Sequence, residues 1–196
     1  MKYDTFSAGV EPGGLRTKQE IKVLICYMLV NIKEGINKND LLTILQANGI
    51  ANYFEAGEAF SDLLGSNNIK KLDNQELYNV TNKGKMIAEQ LSSSLPKTVK
   101  ERALDAVKLL FKRRKIEKEN KVSIEKTNFG YNVTCNVSGG DFEMMSLTLY
   151  VPDMEQAKLV QENFYKAPEM LYRAILSMLT QKNSELEKIF ENTDKK

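Results

Sequence analysis

Two hydrophobic periods occupy separate stretches of this chain. Ile21, Leu24, Ile25, Met28, Leu29 and Ile32 recur at the spacing of one helical face. A hundred residues later, Tyr131, Val133, Cys135 and Val137 alternate, as they do on one side of a strand. Met145, Leu147, Leu149 and Val151 repeat that alternation. Helical and strand patterns segregated in this way build an α+β protein rather than an alternating parallel one. At 196 residues the chain is long enough to bury a core without disulfides or metal.

The punctuation refines the order of elements. Thr17 followed by Glu20 is a capping-box pattern at the start of the first helix, and Gly35 lies past its end. Asn39 is the expected cap of a short second helix with Leu41, Leu42 and Leu45, closed by Asn48-Gly49. Asn52 is the expected cap of a third helix, with Tyr53, Ala56, Gly57, Phe60, Leu63 and Leu64 facing inward. The runs Ile69–Leu72 and Leu77–Val80, joined by a polar tetrapeptide, form a hairpin. Thr81 then caps a fourth helix, and Pro96 marks a boundary. Residues 97–119 read as a long amphipathic helix. Three strands follow, with turns at Asn128-Phe129-Gly130 and Gly139-Gly140-Asp141. Two helices close the chain, one opening at Pro152-Asp153 and one at Pro168. Apolar spacing in the last helix extends to Leu186, Ile189 and Phe190.

Three helices, a hairpin and a fourth helix over residues 17–95 follow the order of a winged helix-turn-helix. The junction Thr81-Asn82-Lys83-Gly84 resembles the wing end of many bacterial regulators, where Thr caps the next helix and Gly permits close packing. Ile21–Met28, Asn52-Tyr53-Phe54-Glu55, and Leu147–Pro152 with Gln156-Ala157-Lys158 resemble an uncharacterised bacterial family with a domain-of-unknown-function label and an N-terminal winged helix. The resemblance spans residues 15–180. It implies a winged helix like those of transcriptional regulators with a C-terminal α/β part. The expected division is a flexible arm at 1–15, a winged-helix domain at 16–96, a connecting helix at 97–120, and a dimerisation or effector domain at 121–192. The last of these is a three-stranded antiparallel sheet packed by two helices.

Composition removes several chemistries. The chain has no histidine, which excludes a Ser-His-Asp triad, a Cys-His dyad and the common zinc sites. Cys26 and Cys135 belong to no CxxC pair and read as buried thiols of a reducing compartment. No phosphate-cradling glycine loop precedes a helix, and Asp141 and Glu143 flank a hairpin turn where water reaches them. No catalytic residue, metal site or cofactor is expected. The longest apolar run, Val23–Val30, is far below the roughly 20 residues that span a bilayer. Met1–Asp4 is polar with no apolar leader behind it, so no membrane is expected and the location is cytoplasmic.

Charge supplies the remaining argument. Residues 1–96 hold 10 Lys+Arg against 11 Asp+Glu, a weak footprint for a polyanion. Glu55, Glu58 and Asp62 fall on the expected outer side of the third helix, where phosphates would repel them. Residues 97–119 instead hold 9 basic against 4 acidic residues, densest at Lys112-Arg113-Arg114-Lys115. That run reads either as a phosphate-contacting face or as a solvated face paired with Glu117 and Glu119. The expected partner is double-stranded DNA. Its contacts would be Asn52 and Tyr53 at the start of the third helix, Lys70 and Lys71 on the wing, and Lys112, Arg113, Arg114 and Lys115. Surplus apolar surface on the last helix points to a homodimer. The alternative is a winged helix that docks proteins through its acidic third helix and binds no DNA.

Overall fold

The computed structural model describes residues 9–32, 34–73 and 75–181. The architecture is mixed α+β, with seven helices, a two-stranded and a three-stranded antiparallel sheet among those residues. Two compact units meet within one helix, the first ending at Leu109 and the second beginning at Leu110.

The first unit is organised around α1 (Lys18–Val30). Thr17 Oγ1 accepts from the Glu20 amide and the Glu20 carboxylate accepts from the Thr17 amide, the reciprocal cap that the sequence announces. The expected single apolar face is too narrow. Val23, Leu24, Ile25 and Cys26 are all buried, and four consecutive residues at 100° each cover most of a helix circumference. α2 (Lys38–Ala47) is capped by Asn37, whose side chain accepts from the Asn39 amide, rather than by Asn39 as expected. α3 (Tyr53–Gly65) packs on α1 and α2 through Ala56, Ala59, Phe60 and Leu63. Leu64, expected inside, is 41% exposed because it lies one residue round from the buried stripe.

β1 (Ile69–Lys71) and β2 (Tyr78–Val80) pair with Ile69 opposite Val80. Ile36, between α1 and α2, bridges to Tyr78 by reciprocal bonds of 3.1 and 2.9 Å. Gly35 just before it is left-handed (φ +74°), and a Cβ there would lie 3.0 Å from the Tyr78 carbonyl oxygen. The Tyr78 ring meets Phe60 edge to face at 4.9 Å, which fastens the hairpin to α3. α4 (Asn82–Leu91) is capped by Thr81 and returns onto α1, followed by a 3-10 turn at Ser92–Ser94. The expected arm is tied down where it is described. Leu15 is buried and its amide donates to Ile50, Glu11 N–H donates to Gly49, and Arg102 pairs with Glu11 at 2.7 Å. Backbone donors at Glu11 and Leu15 find partners in the 49–50 turn, which a flexible arm would leave to water.

α5 (Lys97–Glu119) contributes Val99, Ala103 and Val107 to the first core. The second unit then forms the sheet β3 (Lys121–Lys126), β4 (Tyr131–Ser138) and β5 (Glu143–Val151), in that spatial order. Val133, Cys135 and Val137 of central β4 are buried and lie opposite Leu149, Leu147 and Met145. α6 (Met154–Lys166), capped by Asp153, covers them with Ala157 and Phe164. α7 (Pro168–Leu179) adds Leu171 and Tyr172. The other side of the sheet is polar, with the Thr134 and Thr148 hydroxyls 2.9 Å apart across β4 and β5. Of the helical continuation expected beyond α7, Leu186, Ile189 and Phe190 lie outside the described residues.

Gly84 in α4 tests the junction directly. A Cβ there would collide with the Asn68 carbonyl oxygen and lie 2.6 Å from Val80 Cγ2. Neither α4 nor the hairpin can yield without losing the Thr81 cap. Gly84→Ala is therefore expected to destabilise the chain by about 1–3 kcal/mol despite its better helix propensity. A urea unfolding midpoint equal to or above wild type would contradict this packing.

Candidate functional site

α3 holds the first group of expected contacts. Asn52 is 9% exposed, and its Oδ1 accepts from the amides of Phe54 at 2.9 Å and Glu55 at 3.4 Å. The residue that starts the helix is therefore turned inward by capping it, and is poorly placed as a base contact. Tyr53 is half-buried and meets Phe54 edge to face at 6.0 Å. Phe54 itself is 74% exposed. With Ser61 and Leu64 it makes an uncharged outer stripe on α3. This stripe was absent from the expected site residues, although helical spacing from buried Ala56, Phe60 and Leu63 places it outward.

The acidic outer side anticipated for α3 is largely neutralised. Glu58 accepts from Lys18 at 2.6 Å and Asp62 pairs with Lys22 at 2.8 Å. Both lysines stand one turn apart on α1, so the two helices are laced by parallel ion pairs. The hydrogen bond and charge of Lys22 hold the Asp62 carboxyl below its usual range. The hydrogen bond to Glu58 raises the Lys18 ammonium above its usual value. On the hairpin, Lys70 and Lys71 are both exposed, and Lys71 pairs with Glu76.

The second group lies in the other unit. Four successive residues on a helix point in four directions, and the run at 112–115 divides accordingly. Arg113 Nε donates to Glu117 at 2.7 Å, and Lys115 sits 3.8 Å from Glu119. Arg114 is half-buried and has an interaction of its own. Lys112 and Lys115, three residues apart, line a cleft of about 580 Å³ together with Lys166 and Arg173. The dense cationic run is therefore no single face toward a duplex. The pairing with Glu117 and Glu119 anticipated from the sequence is present.

Among the described residues no group of histidine, cysteine or carboxylate side chains is arranged to hold a metal ion. No helix among them is long and apolar enough to cross a membrane. Both cysteines are free and buried. Burial pushes the Cys26 thiol up to about 11 and raises that of Cys135. A family model described as a domain of unknown function, DUF4364, matches residues 21–179. The chain belongs to the DUF4364 family. No curated protein and no solved structure matches it. The DUF4364 match begins inside α1 and ends with α7, so it takes in both units and both groups of candidate residues.

Two measurements test this electrostatic picture. In a carboxyl NMR titration, Asp62 is expected to protonate below an ordinary aspartate and to return to the ordinary range in Lys22→Met. The sign follows from the depressed value: the Asp62–Lys22 pair contributes above the usual carboxylate range and is lost as pH falls through the lowered pKa. An Asp62 titration unmoved by Lys22→Met would refute the pairing. The thiols are expected to resist iodoacetamide at about pH 8 in the folded protein and to react once urea unfolds it. Rapid labelling of the native chain would show that one of them is accessible.

Proposed function

We propose that the first unit is a winged helix-turn-helix, and that the protein binds duplex DNA as a regulator through phosphate contacts. One observation carries this reading. The β1–β2 hairpin follows α3 directly, is tied back to the α1–α2 connection through Ile36, and meets α3 where the Tyr78 ring packs on Phe60. In winged-helix proteins α3 and the wing are the parts that meet DNA. The ion pairs from Lys18 and Lys22 support the reading, because they offset the two carboxylates that would otherwise repel phosphates. Lys70 on β1, with Lys83 and Lys85 on α4, supplies the positive contacts, and Tyr53 stands at the start of α3. Few phosphates are engaged, so affinity is modest at physiological salt and strongest at low salt. Dimerisation through exposed apolar residues of α7, where Leu176 and Leu179 share one side, would pair two such modules.

Fluorescence anisotropy of the full chain with random duplex DNA, titrated across salt, tests this. Binding is expected to weaken linearly in log salt, with a slope of about 0.9 per phosphate engaged. Lys70→Glu combined with Lys83→Glu should weaken binding and flatten that slope. Absence of binding at low salt, or an unchanged slope in the double variant, overturns the assignment.

The exposed Phe54 favours a second reading. A three-quarters exposed aromatic on an uncharged stripe is the composition of a protein-docking face. In that reading the same module binds no DNA and Phe54 is the anchor.

A further inference from the structure

The cleft in the second unit has a composition that neither reading uses. One wall is the last two turns of α5, presenting Lys112, Lys115 and Glu119; the other is the α6–α7 joint, presenting Lys166, Glu169 and Arg173. Four cations thus face two carboxylates around one concavity. Among the described residues neither Lys112 nor Arg173 is ion-paired, and Lys115 meets Glu119 only at 3.8 Å. Four cations held near one another without enough counter-charge repel one another, and an anion between them relieves that repulsion. The volume, about 580 Å³, lies within the roughly 300–1,000 Å³ usual for small-molecule sites.

The lining also defines the ligand. Ile116 and Pro168 add apolar surface to the lining. Arg173 offers a planar fork of donors, and the lysines offer point charges on flexible stems, the combination that suits phosphate oxygens. α7 adds to this field, since Ala167 before it has no side-chain acceptor and its first turn has no side-chain cap. Glu119 and Glu169 on the same lining accept hydrogen bonds from hydroxyl or amino groups. The cleft therefore suits a molecule that carries both a phosphate and hydrogen-bond donors.

We propose that this cleft binds a phosphorylated, hydroxyl-bearing small molecule of about nucleotide size, with its phosphate held by Lys112, Lys115 and Arg173. The inference is independent of DNA binding, since its residues lie in the second unit and the wing lysines lie in the first. Where both hold, Lys112 and Lys115 are engaged by the small molecule rather than by a duplex, and the module senses it.

Isothermal titration of the full chain with ADP, ribose 5-phosphate and adenosine tests the assignment. ADP and ribose 5-phosphate are expected to bind and adenosine is not. Lys115→Gln with Arg173→Gln should weaken ADP binding at least about tenfold, or roughly 1.4 kcal/mol. Both side chains are exposed, so the unliganded melting temperature of the double variant should match wild type, which separates lost contacts from lost folding. Lys70→Glu with Lys83→Glu should leave ADP binding intact whatever it does to DNA. The proposal is overturned if neither phosphorylated probe binds at millimolar concentration, if adenosine binds as well as ADP, or if the glutamine variant retains full affinity.

Discussion

Enclosure of α1 is the condition on which the first unit rests. From Val23 to Cys26 the helix has no solvent face, and α3, α4 and β2 all pack against it. A stretch buried all round draws little on its own propensity and nearly everything on its neighbours. Those neighbours depend on it in turn. α3 is set by Ala56, Phe60 and Leu63 against α1, the hairpin is set by Tyr78 against Phe60, and Ile36 joins the hairpin to the preceding loop. The outer stripe of α3 is consequently presented on a rigid base. Whatever it recognises, it meets with little reordering, which lowers the entropic cost of association.

Charge is arranged by short pairs rather than by regional excess. The first unit is nearly neutral, yet two of its carboxylates are matched to specific α1 lysines. The second unit carries the dense basic run, yet that run is dispersed round a helix and partly matched within it. Exposed pairs of this kind contribute little to stability. Their larger effect is to set which surface charges remain available to a partner.

Much of the architecture was legible because its signals are local. Thr17, Asn52, Thr81 and Asp153 cap the helices they precede, and a cap needs only a side-chain oxygen two or three residues from an amide. The alternation in β4 identified its buried side for the same reason. Failures arose where a neighbour decides. Asn37 and Asn39 are equally good caps on paper, and the turn geometry after Gly35 selects the first. The segment before α1 reads as an arm from its glycines, but Leu15 and Glu11 find partners near residue 49 and at Arg102. The candidate site was legible only in part. Counting charges in sequence at 112–115 overlooked their angular spread, and the cleft depends on Lys166 and Arg173, more than fifty residues away. Phe54 escaped because an exposed aromatic has no signature until the buried face is known.

α5 runs across the boundary between the two units. Its N-terminal half is anchored by Val99, Ala103 and Val107 in the first unit, while its last turns open onto the second. A helix of 23 residues has one continuous ladder of backbone bonds, about 35 Å long, and that ladder does not stop at a domain boundary. Fraying that begins at the last turns travels along this ladder toward the half held by Val99, Ala103 and Val107. A ligand held by the last turns of α5 would act on that same ladder, and amides toward the middle of the helix would gain protection from hydrogen exchange with it.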